Sequence, residues 1–181
     1  GLELVNSFFP SPQYGYLKDL MKTADQEGIE ILLIMCDNEG DMSSPDFKER
    51  HQAVINHHKW LDIAAVLGCH SIRCNSGNKN VSPEEDMKNA ADSFWSLCEY
   101  ARQYDMNVII ENHWQRTEDP QWLADLVEMV GANNFGTLPD FGNFHKEVNN
   151  YEAVKLLMPY AKAVSAKCYD FGPEAYETTL D

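Results

Sequence analysis

Positive charge is scarce in this chain: 14 Lys and Arg stand against 29 Asp and Glu, a net charge of −15. Nucleic acids and anionic membrane surfaces are gripped mainly through Lys and Arg, so this balance argues against either as a general partner. No apolar run approaches the roughly 20 residues that span a bilayer, and no charged-then-apolar signal segment opens the chain. The first residue is Gly1, directly ahead of a strand-like run, which is compatible with a removed leader or a preceding segment. The five cysteines, at 36, 69, 74, 98 and 168, form no C-x-x-C pair, and their odd number leaves at least one thiol free. Reduced, buried thiols in a reducing, cytoplasmic setting are the expectation. Linkers rich in Gly and Ser are absent, so residues 1–181 are read as one domain. Also missing is a Gly-rich turn after the first strand-like run. "FFPSPQYGY" stands there instead, without the signature of an open dinucleotide-binding sheet.

What the chain does contain is a regular alternation. Six short apolar runs recur, "LELVNSFF" (2–9), "IEILLIM" (29–35), "HSIRCN" (70–75), "NVIIEN" (107–112), "GTLPDF" (136–141) and "AVSAKCY" (163–169). Their centres lie roughly 27 to 41 residues apart, room for a strand, a helix and two loops. Between them Leu17, Leu20, Met21 and Ala24 keep the helical period, and Gly28 is placed to stop that helix. Ser82, Pro83 and Glu85 form a capping box ahead of a helical run, and Asp119 with Pro120 opens another that Gly131 ends. Strict βα alternation predicts a parallel sheet with helices outside it. Two architectures compete, an open doubly wound sheet and a (β/α)8 TIM barrel. Polar residues at the strand C-terminal ends favour the barrel, whose chemistry is assembled there from several strands.

Those residues form the candidate site. Side chains alternate along a strand, so Glu111 and His113 share the face of Ile109, while Asn112 takes the other. Asp140 ends the next strand, and Ser165 and Lys167 share a face on the one after. Two carboxylates converging in a confined mouth call for a divalent cation or a shared proton. An oxygen-rich set with at most one nitrogen suits Mg²⁺, Mn²⁺, Co²⁺ or Zn²⁺. Arg73 is a candidate binder of substrate oxygens, and Trp114 is a candidate stacking surface for a substrate. The competing reading of Glu111 and Asp140 is a pair of structural ion pairs with Arg73 or Lys167. His51, His57 and His58 fall in a helical stretch and are read as surface or packing residues. The acidic "CDNEGDMSSPD" (36–46) lacks the spacing of a calcium loop and is read as solvated.

The ordered set "ELVNSFF", "GCHSIRCNSG", "IIENHW", "GTLPDFGNFH" and "AVSAKCYDF" resembles the xylose-isomerase-like TIM-barrel superfamily, the sugar phosphate isomerase/epimerase group, over nearly the whole chain. The resemblance implies a divalent metal held by a Glu ending the fifth barrel strand, an acid ending the sixth, a His or Asp at the seventh and a Glu at the eighth. Glu111 matches the first ligand and Asp140 the second. Ser165 falls where the third belongs, a departure that leaves water, His145 or His113 to supply that contact, and the fourth has no counterpart. By this numbering the chain holds strands two to seven, an incomplete barrel of about six βα units. Its edges are expected to bring self-association, marginal stability or membership of a longer protein.

The resemblance further implies proton or hydride transfer on a metal-bound hydroxy-carbonyl sugar or sugar derivative. Glu111 would be one acid/base, His113 a substrate contact where xylose isomerases carry a Lys, and Lys167 a neutraliser of substrate charge. Asn143 stands where several epimerases and related endonucleases place a His and counts as substrate-binding. Three alternatives share or relax this reading: a keto-cyclitol dehydratase, an abasic-site phosphodiesterase, and a non-catalytic carbohydrate-binding barrel.

Overall fold

The computed structural model describes residues 1–167. Five strands, β1 (Leu2–Val5), β2 (Ile31–Cys36), β3 (Ser71–Cys74), β4 (Asn107–Glu111) and β5 (Phe135–Leu138), form one sheet in chain order. Every neighbouring pair is parallel. The long connections are helices α1 (Tyr14–Gln26), α2 (Phe47–Leu67), α3 (Pro83–Ala101) and α4 (Pro120–Val130), and α5 (Asn150–Leu157) follows β5. The expected βα alternation is therefore present.

The helix boundaries follow from local chemistry. Ser82 caps α3 by accepting from the Glu85 amide at 3.2 Å, and Asp119 caps α4 by accepting from Gln121 N at 2.9 Å. Each satisfies an amide that the first turn leaves without a partner. Gly131 closes α4 in the left-handed conformation, with φ of 61°, a region that carries no Cβ penalty for glycine.

Alternation along the strands separates two cores. Ile34, Ile72, Val108 and Phe135 lie in one register row and join the large cluster under the helices. Leu33, Ile109 and Leu138 point to the opposite face and form a small cluster against Met35 and Ala163. Arg73 pairs in register with Ile109, and Glu111 with Leu138. The two charged side chains thus stand above an apolar plug on the sheet's inner face.

One expected strand takes a different form. The segment 161–167 meets β5 and its extension only through isolated bridges, Thr137 with Ala161 and Asp140 with Ser165, and residues 168–169 of the expected run lie outside the described part. Pro139 sits between the two bridges and has no N–H for a ladder, which limits regular pairing there. The chains also approach closely at Gly136, where an added Cβ would lie 2.5 Å from the Tyr160 carbonyl oxygen. Gly136→Ala is therefore expected to destabilise the fold by about 1–3 kcal/mol through overpacking, measurable as a lowered denaturant midpoint.

The histidines of α2 behave as packing residues. His57 is buried, and its Nδ1–H donates to the Ala53 carbonyl at 2.7 Å. Burial lowers its pKa from 6.5, so the unfolded chain takes up a proton before the folded one does. This contribution to stability is complete above about pH 6.5 and declines as pH falls, with a slope of at most about 1.4 kcal/mol per pH unit. Urea titrations of the wild type and His57→Gln between pH 7.5 and 5.5 should show the wild type losing more.

Candidate active site

At the C-terminal ends of β4 and β5 the two expected acids come together. Glu111 is 6% exposed and Asp140 2%. Burying an acid is costly without partners, and each has them. Arg73 Nε lies 3.1 Å from Glu111 Oε2, and Asn143 Nδ2 donates to Glu111 Oε1 at 3.2 Å. The Asp140 carboxylate accepts from the Gly142 amide at 2.8 Å and from Ser165 Oγ at 3.0 Å, with Lys167 Nζ 3.9 Å away. Lys167 also donates to Asn143 Oδ1 at 2.8 Å. The ion pairs weighed against a catalytic role are thus present, in the same cluster as the catalytic candidates.

Burial, helped by the neighbouring Asp140 charge and opposed by Arg73 and Lys167, pushes the Glu111 carboxyl up to about 7. A carboxyl near neutrality can both take and return a proton at physiological pH. His113 moves the other way: burial, with the positive charges of Arg73 and Lys167, lowers its pKa and favours neutral imidazole. Its Nδ1 is buried without a hydrogen-bond partner, and its ring stacks on Trp114 at 4.7 Å between centroids.

Arg73, 4% exposed, ties the site together. Besides Glu111 it reaches Asp37 Oδ1 at 2.9 Å and Asn75 Oδ1 at 2.7 Å. Its planar fork suits this simultaneous grip. Its Nε and Nη1 thus face protein groups and hold Glu111 in place. The acidic loop after β2 needs a correction. Met42, Ser43 and Ser44 are buried, Asp37 pairs with Arg73, and Glu39 accepts from Trp60 Nε1 at 2.6 Å. Arg73 and Trp60 anchor the Asp37 and Glu39 side chains, so only part of the loop is solvated.

Two asparagines that the sequence reading left unassigned set the strand ends. Asn112 donates to the Asp140 carbonyl at 2.8 Å and accepts from its amide at 2.7 Å. Asn6 does the same for Asp37, at 2.8 and 2.9 Å. Each side chain replaces the ladder partner that the neighbouring strand needs just past its last residue, fixing the backbone from which an acid projects. A signal existed, because each asparagine directly follows the last residue of its strand, Val5 or Glu111.

Among the described residues no group of three or more His, Cys, Asp or Glu side chains is arranged to hold a metal. His145 is exposed, with Nδ1 accepting from the Glu147 amide at 3.4 Å, and does not join the acids. Two carboxylates with a hydroxyl and an amide beside them form an all-oxygen set, which suits a hard ion that completes its shell with water and substrate oxygens. Glu111 and Asp140 fit such an ion, and they do not fit a histidine-rich zinc cluster. The described thiols offer no alternative chemistry. Cys36, Cys69, Cys74 and Cys98 are free and buried, and burial raises Cys69 and Cys98 to about 12.

Comparison with known proteins places this geometry. No curated protein sequence matches significantly. Among solved structures, an apo 3-keto-D-glucoside 4-epimerase from E. coli aligns with a TM-score of 0.73 at 13% identity, covering 83% of this chain and 63% of that one. A D-psicose 3-epimerase from Clostridium cellulolyticum H10 with D-tagatose aligns at 0.75 and 19% identity, covering 95% and 66%. A xylose isomerase-like TIM barrel protein from Mycobacterium smegmatis in complex with magnesium aligns at 0.66 and 19% identity, covering 89% and 59%. The chain therefore spans about two thirds of the length of these proteins or slightly less, and its sheet corresponds to part of a (β/α)8 barrel. A family model described as xylose isomerase-like TIM barrel matches residues 1–173. With a parallel sheet in chain order and buried acids at adjacent strand ends, the chain belongs to the xylose isomerase-like TIM barrel family.

Proposed function

We propose that this chain carries the main part of the active site of a divalent-metal-dependent isomerase or epimerase acting on a sugar or sugar derivative. The observation that carries the reading is the convergence of Glu111 and Asp140, both more than nine-tenths buried, at the C-terminal ends of adjacent strands. The two carboxylates would hold Mg²⁺, Mn²⁺, Co²⁺ or Zn²⁺, and such an ion lowers the cost of negative charge on a hydroxy-carbonyl substrate. Glu111 takes a proton from the carbon beside the carbonyl and returns it. Its elevated pKa supports that role, and the short link to Arg73 keeps the carboxyl aimed. Neutral His113 has a free buried Nδ1 to engage a substrate oxygen. Lys167 offsets charge at Asp140, and Asn143 bridges Lys167 and Glu111, so both orient the acids.

The sugar chemistry of the structural relatives supports this choice of substrate class. An abasic-site phosphodiesterase is disfavoured by the net charge of −15 and by Asn143 and Ser165 at positions where a histidine cluster would be built. The free, buried thiols support a reducing compartment such as the cytoplasm. No described helix is long and apolar enough to cross a membrane.

The test is incubation of the full chain with Mg²⁺ in deuterated water against fructose, tagatose, psicose and glucose, with products resolved by chromatography and proton NMR. Interconversion with deuterium uptake beside the carbonyl supports proton transfer by Glu111, and interconversion without uptake points to hydride transfer. Loss of water from a substrate would assign dehydration instead. No conversion with any of the four ions, in a protein that binds none of them, overturns the reading.

A further inference from the structure

A cleft of about 470 Å³ opens beside the acids and includes neither Glu111 nor Asp140. Its walls come from the three consecutive loops that follow β2, β3 and β4, on the same C-terminal side of the sheet. Five amide side chains line it, those of Asn38, Asn75, Asn78, Asn80 and Gln115, together with Trp114. Asp41 is the one charged residue among the lining residues, and its carboxylate is occupied by Ser43 and Asn78. No Lys or Arg lines the cleft among the described residues.

Three further observations mark the cleft as built for a ligand. Ser76 lines it, is 94% buried by its 6% exposure, and its Oγ has no hydrogen-bond partner. A buried hydroxyl without a partner is costly to keep in the wall of a cleft. Gln115 holds φ of 57°, a left-handed conformation that costs a residue of its kind energy and that recurs at ligand sites. Trp114 is 45% exposed, and its backbone is held: Thr117 Oγ1 accepts from its amide at 3.2 Å and donates to its carbonyl at 2.7 Å.

The loops are also anchored from beneath. Asp86, fully buried, accepts from the Asn78 amide at 2.8 Å and pairs with Arg116 at 3.0 Å. Arg116 Nη2 in turn donates to the Val81 carbonyl at 2.6 Å. The walls therefore stand in place before any ligand arrives.

Asn75 and Asn78 are already bonded to Arg73, Asp37, Asp41 and the Asn80 amide, while Asn38 and Asn80 turn an amide donor and acceptor side by side to the cleft, which matches vicinal hydroxyls and gives a phosphate no counter-charge. An exposed indole adds an apolar face for a sugar ring. The volume lies within the roughly 300–1,000 Å³ of small-molecule clefts. Continuity with the acids is direct, since Asn75 bonds to Arg73, which pairs with Glu111, and Trp114 stacks on His113.

We infer that this cleft seats a second, uncharged sugar unit joined to the one handled by Glu111 and Asp140, so that the substrate is a glycoside or disaccharide and not a sugar phosphate. The inference rests on the proposed function for the identity of the first unit.

Titration and saturation-transfer NMR of the full chain with Mg²⁺ test it, with glucose, glucose 6-phosphate, maltose, cellobiose, sucrose and trehalose as probes. At least one disaccharide should bind tenfold or more tightly than glucose, with saturation reaching both rings. Trp114→Ala should bring the disaccharide-to-glucose affinity ratio close to one, and Asn80→Ala, on an exposed loop where folding is not at stake, should lower it in the same direction. A ratio near one in the wild type for every disaccharide overturns the inference, as does tightest binding of glucose 6-phosphate or a ratio that both variants leave unchanged. Failure of the proposed function reads out elsewhere, as Mg²⁺ affinity that is indifferent to Glu111 and Asp140.

Discussion

Replacement of Arg73 by methionine is expected to destabilise the protein by about 3 kcal/mol, near the lower end of the cost of breaking a buried ion pair from one side. The guanidinium holds Glu111, Asp37 and Asn75 together. Methionine fills part of the volume but leaves Glu111 buried without its cation. The low end applies because Asp37 is about a third exposed and water can solvate it, and because Glu111 can escape its charge by taking up a proton. For a chain of this size the loss corresponds to a melting point lower by roughly 6–12 °C. Arg73→Lys separates charge from shape. A single ammonium cannot grip carboxylates on two strands and an amide together, so lysine should recover only part of the loss. Full recovery would mean that charge alone matters and that the fork does not position Glu111.

This arrangement shows how far the sequence could be read. The βα alternation, the caps at Ser82 and Asp119 and the stops at Gly28 and Gly131 are local features, each set by a few adjacent residues, and all of them are found in the fold. Glu111 and Asp140 were legible because strand alternation fixes which face a side chain takes. Asp37 was not, because its partner Arg73 lies 36 residues away and nothing adjacent distinguishes it from a solvated acid. The roles of Asn6 and Asn112 depend on the strand next door, and the free hydroxyl of Ser76 is defined only by what fails to surround it. The segment 163–167 departs from a regular strand for a similar reason: its apolar content suits a strand, while Pro139, just past β5, limits the ladder.

The larger functional effect is expected at the two acids, and their coupling is more informative than either loss. Glu111→Gln should weaken divalent-ion binding at least tenfold and slow proton exchange on a converted substrate by about 10²-fold or more, the usual range for a general acid/base. Glutamine also turns an amide group toward Arg73, so some stability is lost with it; Glu111→Asp, which keeps the charge but withdraws it by one methylene, guards against mistaking unfolding for lost function. Asp140→Asn retains acceptors for Ser165 and the Gly142 amide and should also lose the ion. If both carboxylates hold one ion, the double variant binds it scarcely more weakly than either single one, because residues acting as a unit are non-additive. If the acids serve only as partners for Arg73 and Lys167, the two losses appear in stability instead, and ion binding by calorimetry is the same in all four proteins. The ion pairs on their own predict the second pattern. The confinement of two acids within one buried cluster predicts the first.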